Sequence, residues 1–296
     1  MKVLITGAGG QLGRSLQDCA PVKVKDQYTI IVPAERNLLD ITNRKQLHDQ
    51  LDILRPEVII NSAAYTAVDK AEIEKKEAWV VNAQSIEHLV DWCSANDCTL
   101  IYVSTDFVFD GTQSVAYKPS DCPKPLNEYG RTKLAGELAV RLSERRHYIV
   151  RTGWLYSEYG NNFVKTILRL AQTKATLGIV ADQIGTPTYA ANLAQMIWLL
   201  IEKQPEDAVW HFSDAGVASW YDFAHAIVDE AFTIGLLTKN IHVKPITTHD
   251  YPTPAKRPPF SVLDKESSWG ELSAEPIHWR VALRTMLRRL AEERKV

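Results

Sequence analysis

Lys2-Val-Leu-Ile-Thr-Gly-Ala-Gly-Gly-Gln-Leu-Gly13 is the stretch that decides the fold. Val3–Ile5 is an aliphatic run of strand length that breaks at once into glycine. Gly7, Gly10 and Gly13 stand in GxxGxxG spacing, and a helical pattern follows. Glycine there permits a tight turn and close backbone approach. A helix start then offers unpaired N–H groups and the positive end of its dipole to a pyrophosphate. A ligand-free strand-to-helix turn also uses glycine, so the placement between a strand and a helix carries the nucleotide reading.

The same alternation continues outward. Tyr28–Val32, Val58–Ile60, Leu100–Val103 and Tyr148–Val150 have the near-continuous apolar character of strands covered on both faces. Helical patterns lie between them, from Thr42–Asn43 to before Pro56, over Ala78–Cys93 and over Tyr129–Leu142. Repeated β-then-α order predicts an α/β fold with a Rossmann-type, doubly wound parallel sheet. Beyond about residue 153 come a helix at Phe163–Ala171, a strand at Leu177–Val180, a helix at Ala190–Glu202 and a strand at Val209–Phe212. A helix around Tyr221–Ala231, an extended loop Tyr251–Pro259 with four prolines and a basic C-terminal helix complete the chain. Residues 1–153, with late elements near 188–215, are expected to form an NAD(P)-binding domain. Residues 154–187 and 216–296 are expected to form a smaller α/β substrate domain.

The 296 residues carry a formal charge of −2, which gives no general reason to bind nucleic acid or an anionic membrane. Cys19, Cys93, Cys98 and Cys122 show no CxxC or zinc spacing and fit a reduced compartment. The apolar run before Gly7 is too short for a signal peptide, and no stretch has the length of a membrane helix. A soluble, cytoplasmic protein is expected.

Three constellations carry chemistry. Glu35-Arg36 follows the second strand, 22 residues after Gly13. A carboxylate there can hold adenosine ribose hydroxyls, and an arginine can take a 2′-phosphate, so NADH and NADPH both stay open. Tyr129 and Lys133 are four apart and share a helix face. A neighbouring ammonium lowers a tyrosine pKa and can also reach a ribose hydroxyl, which suits proton transfer. Thr105, at the end of the fourth strand and 24 residues before Tyr129, supplies a hydroxyl to a carbonyl oxygen. Strand C-termini are where open α/β sheets bind ligands.

These residues resemble the extended short-chain dehydrogenase/reductase superfamily, and within it the dTDP-4-dehydrorhamnose reductase family. The resemblance is carried by Asn61–Glu72, Val103–Gly111, Asn127–Glu137, Arg151–Tyr156, Gly160–Phe163, Asp182–Thr188 and Tyr251–Pro258, in family order over nearly the whole chain. It implies hydride transfer from NADPH or NADH to C4 of dTDP-4-dehydro-L-rhamnose, in a monomer or homodimer. It implies that Tyr129 protonates O4, Lys133 tunes Tyr129 and binds the nicotinamide ribose, and Thr105 orients the carbonyl. Gly10, Gln11 and Leu12 would meet the pyrophosphate, Asp40 and Ile41 the adenine, and Ala63, Ala64 and Tyr65 the cofactor along the third strand. Asp106 and Trp154 would lie near the sugar, and Arg257 at its diphosphate, because a guanidinium pairs bidentately with phosphate.

Gly153 stands where serine is usual, and Ser62 where alanine is; neither is expected to touch the chemistry. Ser15 occupies a position where some members place a glutamate on a dimer-bridging metal, so no metal is expected. Two alternatives remain. A nucleotide-sugar epimerase or dehydratase would reuse a tightly held NAD, though Asp106 lacks the following glutamate that dehydratases tend to carry. A catalytically silent regulatory subunit would not need Thr105, Tyr129 and Lys133. Asp69 and Glu72 are expected either to cap a helix or to line the substrate site. His242 and His249 are read as surface residues, and Trp198, Trp220, Trp269 and Trp279 as core or interface aromatics. Arg284, Arg288, Arg289 and Arg294 are read as a solvated face.

Overall fold

The structure is a computed structural model that describes residues 1–20, 29–32, 39–143, 145–206 and 208–293. Its first part runs β1 (Lys2–Thr6), α1 (Gln11–Asp18), β2 (Thr29–Ile31), α2 (Arg44–Leu54), β3 (Val58–Asn61), α3 (Val68–Ala71), α4 (Lys75–Trp79), α5 (Ser85–Asn96) and β4 (Thr99–Thr105). The middle runs α6 (Glu128–Arg141), β5 (His147–Thr152), β6 (Leu155–Tyr156), α7 (Phe163–Thr173), β7 (Thr176–Val180), β8 (Ile184–Gly185) and β9 (Thr188–Tyr189). It ends with α8 (Ala190–Lys203), β10 (Val209–His211), β11 (Ala218–Ser219), α9 (Trp220–Thr233), β12 (His242–Ile246), α10 (Glu266–Gly270) and α11 (Trp279–Glu293).

Six strands form one parallel sheet in the order β10-β5-β4-β3-β1-β2. Alternate residues feed opposite faces. Val3, Ile5, Ile60, Ile101 and Val150 pack with Leu193, Ile197 and Trp198 of α8. Leu4, Ile59, Leu100, Tyr102 and Ile149 pack with Leu47, Leu51, Leu89 and Val140 from α2, α5 and α6. That two-sided burial is why these strands read as unbroken apolar runs. The order reverses direction beside β1, and the crevice beyond the carboxyl ends of β1 and β3 is the expected ligand position.

Asparagines start three of the helices: Asn43, Asn127 and Asn162 each accept a backbone N–H three residues on. Ser219 and Asp222 form a capping box on α9. A third core joins α7, α9 and α11, with Val164, Ile167, Phe223, Ile227, Leu283 and Leu287 fully or almost fully buried.

Two features depart from expectation. The helix expected over Ala78–Cys93 is interrupted by a π-helical turn at Val80–Gln84, between α4 and α5. It inserts Asn82 between two elements that both need a polar partner, and π-turns concentrate at functional sites. His242 opens β12, which pairs in parallel with β7 (Thr176↔His242 to Val180↔Ile246). Pro245 inside that strand hid it from the sequence reading. Among the described residues no helix is long and apolar enough to cross a membrane.

Candidate active site

Gly7 ends β1 with φ +63°, a left-handed conformation. A Cβ on Gly7 would stand 2.6 Å from the Ala63 amide nitrogen, and one on Gly13 would stand 2.3 Å from the Gly7 carbonyl oxygen. Glycine at these two positions lets β1, α1 and the end of β3 close on one another. Gly10, the N-cap of α1, supplies no side-chain cap, so the first-turn N–H groups of Gln11, Leu12 and Gly13 stay available. The crevice holds about 420 Å³ and is lined by Gly7 to Gly10, Asp40, Ile41, Ala63 and Ala64, together with Ser62 and Val81. This glycine cradle at a helix N-terminus fits the pyrophosphate and adenosine of a dinucleotide.

Other cofactor candidates sit at its margins. Leu12 is buried in the core between the sheet and α8, so its side chain is not offered to the crevice. The Gln11 side chain accepts hydrogen bonds from Ser157 Oγ (3.1 Å) and Asn162 Nδ2 (2.9 Å), tying α1 to the start of α7. Tyr65 turns its hydroxyl to Glu74, and its backbone N–H donates to Asn82 Oδ1 at 2.8 Å. Glu35 and Arg36 lie outside the described residues.

Beyond the crevice, β4 ends at Thr105 and α6 carries Tyr129 and Lys133. The Thr105 hydroxyl donates to Asp106 Oδ1 at 3.1 Å and accepts the Phe107 N–H at 3.2 Å, next to the Tyr129 phenol. Lys133, 2% exposed, donates to the Val103 carbonyl at 2.7 Å and lies 4.1 Å from the centroid of the Tyr102 ring. Gly130 lets α6 press onto this corner, since a Cβ there would be 2.3 Å from the Phe107 carbonyl oxygen.

The RmlD substrate binding domain family matches residues 1–292. The chain belongs to that family. It is 42% identical to a dTDP-4-dehydrorhamnose reductase of Aggregatibacter actinomycetemcomitans, over 96% of this chain and 98% of the relative. A solved dTDP-4-dehydrorhamnose reductase from Bacillus anthracis, in complex with NADP, is 37% identical, with a TM-score of 0.88 over 97% of this chain and 99% of that one. A Thermus thermophilus UDP-glucose 4-epimerase, 15% identical with a TM-score of 0.80 over 98% of this chain and 99% of that one, shares the fold alone.

Within this RmlD-family chain the electrostatics of the corner differ from expectation. Burial pushes Tyr129 up to about 12, the neighbouring Thr105 hydroxyl pulling down and the Asp106 charge pushing up. Burial lowers Lys133 to about 7, although the Glu137 carboxylate works the other way. The expected lowering of Tyr129 by Lys133 is therefore not seen, because the lysine is engaged by Val103 and itself disfavoured as a cation. Burial also raises Asp106 to about 6, against hydrogen bonds from Ser261, Thr105 and the backbone of Phe107.

Gly153 and Ser62 both reach the site, contrary to expectation. A Cβ on Gly153 would meet the Asp106 carboxyl at 2.6–2.8 Å, so the missing side chain makes room for that carboxyl. Ser62 lines the crevice and donates to the Thr6 carbonyl at 2.6 Å. Trp154 has φ +51°, a strained region for a bulky residue, and is held there by stacking. Its ring lies on Trp220 at 3.5 Å and 6°, with Gly185 beneath it, so Trp220 backs a candidate site residue. Arg257 is paired with Asp69 in the first turn of α3, and Glu72 Oε1 accepts the Glu128 N–H at the start of α6. Neither Asp69 nor Glu72 caps its own helix.

Sequence reasoning missed Asn82 and Glu137. Asn82 Nδ2 donates to the Tyr65 carbonyl (3.0 Å) and to Thr132 Oγ1 (3.1 Å), joining the crevice wall to α6. Glu137 and Arg151 form a fully buried bidentate pair at 2.9 and 2.7 Å, and Ser104 donates to the same carboxylate at 2.5 Å. An i,i+4 Lys133–Glu137 pair and an arginine inside a buried strand were the available signals. Nor is the C-terminal helix simply solvated: Arg284 pairs with the buried Glu230, and Arg289 with the buried Glu158 and Tyr189. Arg294 lies outside the described residues. Among the described residues no group of three or more His, Cys, Asp or Glu could hold a metal.

Proposed function

We infer that this chain is an NAD(P)H-dependent oxidoreductase that reduces the 4-keto group of dTDP-4-dehydro-L-rhamnose, giving dTDP-L-rhamnose. The observation that carries it is the placing of Tyr129 and Lys133 one turn apart on α6, with Thr105 at the adjoining end of β4 and a glycine cradle beside them. The NADP held by the Bacillus anthracis relative favours NADPH, with NADH the alternative.

The bound nicotinamide supplies the hydride. Tyr129, with its pKa pushed to about 12, keeps its proton at neutral pH and can give it to O4 as negative charge develops there. Thr105 aligns the phenol and the sugar carbonyl. Lys133 fixes the floor of the corner through Val103, and its role toward the cofactor is to hold the nicotinamide ribose. Asp106 and Trp154 flank the sugar, and Arg257 takes the diphosphate. Gly7 to Gly13, Asp40, Ile41 and Ala63 to Tyr65 hold the dinucleotide, and Glu35 and Arg36 are assigned to its adenosine ribose from their place in the sequence alone. Residues 1–153 with 188–215 form the cofactor domain, and 154–187 with 216–296 the substrate domain; the separate cores of the sheet and of α7, α9 and α11 support that division. The enzyme works in the cytoplasm as a monomer or homodimer.

The test is single-turnover oxidation of NADPH, then of NADH, on addition of dTDP-4-dehydro-L-rhamnose, with the product sugar identified by mass and NMR. Stoichiometric oxidation with dTDP-L-rhamnose formed is expected. Cofactor binding without oxidation would defeat the assignment and point to an epimerase or to a silent subunit.

A further inference from the structure

The Asp69 carboxylate reaches across the sequence to the proline-rich loop. Its Oδ1 accepts the Ala255 N–H at 3.2 Å and Arg257 Nη1 at 3.1 Å, while Oδ2 accepts Arg257 Nη2 at 2.7 Å. Nη1 also donates to Thr253 Oγ1 (2.5 Å) and to the Ala255 carbonyl (3.2 Å), so that nitrogen is saturated. Among the described residues Nε makes no hydrogen bond. Arg257 is 22% exposed and Asp69 40%, so the pair is open to solvent and not in a core. A guanidinium has two edges able to grip an oxyanion in parallel; Asp69 occupies one and orients the Nε–Nη2 edge.

A second strap fixes the same loop to the proton donor. Asn127 Nδ2 donates to the Lys256 carbonyl at 2.8 Å, while Asn127 Oδ1 caps α6 by accepting the Gly130 N–H at 2.8 Å. Tyr129 is the second residue of that helix. Residues 253–257 are therefore pinned at Asp69 and at the start of α6, which sets the guanidinium in a fixed relation to the Tyr129 corner. Burial works to raise the Asp69 carboxyl, but the bonds from Arg257 and Ala255 outweigh it and hold it below the usual carboxylate range. It is thus an anion at neutral pH.

We propose that Asp69 is a positioning residue for the nucleoside-diphosphate end of the substrate: by gripping one edge of Arg257 and the Ala255 amide, it presents the other edge to a phosphate at a set distance from Tyr129. The proposal rests on the assignment of Arg257 to the diphosphate. It decides between two opposite electrostatic outcomes. A carboxylate that merely competed for Arg257 would be an obstacle to an incoming anion, and its neutralisation would tighten binding. A carboxylate that orients Arg257 makes its neutralisation weaken binding.

The test is calorimetric titration of dTDP into the full-length enzyme with NADPH present, for the wild type, Asp69→Asn, Asp69→Glu and Arg257→Ala. Asp69→Asn is expected to weaken dTDP about tenfold, as loss of a charge-assisted, bidentate contact does. Asp69→Glu should recover part of that loss, and KM for NADPH should stay at the wild-type value while KM for the nucleotide sugar rises. Unchanged or tighter dTDP binding in Asp69→Asn, with Arg257→Ala still weakened, overturns the role of Asp69 alone. Unchanged binding in Arg257→Ala overturns the diphosphate assignment beneath it.

Discussion

Replacing Lys133 with methionine is expected to make the protein more stable while removing its activity. Lys133 is 2% exposed, and burial brings its ammonium down to about 7 despite the nearby Glu137 charge. Against an ordinary lysine near 10.4, that depression corresponds to about 4–5 kcal/mol of disfavour for the protonated form in the folded state. Methionine fills most of the same volume without the charge. It forfeits the 2.7 Å bond to the Val103 carbonyl and the contact with the Tyr102 ring. Those losses cost roughly 1–2 kcal/mol, which leaves a net gain of roughly 2–4 kcal/mol at pH 7.

The sign with pH follows from proton binding. Between about pH 7 and 10 the unfolded chain keeps a proton on this lysine that the folded chain has lost, so wild-type stability attributable to it rises with pH. Below about pH 7 both states are protonated and the full penalty is present. The advantage of Lys133→Met should therefore be largest at or below about pH 7 and disappear by about pH 10. Urea unfolding of both proteins at several pH values measures the difference, in which the raised Asp106 and Asp214 carboxyls and the lowered Lys265 are common terms. A variant no more stable than the wild type at pH 7, or a gap independent of pH, would refute the burial argument.

Tyr129→Phe should keep NADPH affinity close to that of the wild type by fluorescence titration and lower kcat by roughly 10²–10⁴-fold, the contribution of a positioned general acid; wild-type-like turnover would sink the assignment. Glu137→Gln leaves Arg151 buried beside a neutral partner and should cost about 3–5 kcal/mol in urea unfolding; a loss under about 1 kcal/mol would mean that the pair adds little. Gly7→Ala puts a methyl group 2.6 Å from the Ala63 nitrogen at φ +63°. It should lose more than about 1 kcal/mol of stability and most NADPH affinity, and unchanged cofactor binding would show that the cradle can yield.

Legibility in the sequence followed the range over which each signal acts. Val58–Ile60 and Tyr148–Val150 were readable as strands because two-sided burial leaves an unbroken apolar run, and both recur within β3 and β5. Thr105, Tyr129 and Lys133 were readable because a strand end and a four-residue helical spacing are local. The π-turn was not, since Val80–Gln84 has ordinary helical composition and only the partners of Asn82 justify the extra residue. Strand β12 was hidden by Lys244 and Pro245, which a strand tolerates here only because it pairs with β7 alone. The Asp69–Arg257 pair joins residues 188 apart, which no local pattern reports. The altered balance between Tyr129 and Lys133 has the same origin: residue type suggested an attraction, but depth in the fold decided both groups.

The sixth strand of the sheet has a consequence for how the protein is made. β5 ends at Thr152, yet its neighbour β10 is not synthesised until Val209–His211. A ribosome that has delivered the first five strands must therefore extrude β6 to α8 while one edge of β5 is still bare. During that interval Arg151 already has Glu137 but lacks His211, which lies 3.3 Å from it in the finished fold. Bare edges of this kind invite pairing with other chains. Chains cut short before Val209 should accumulate as chaperone-bound or aggregated material, and the sheet should gain protease resistance only once His211 has cleared the exit tunnel.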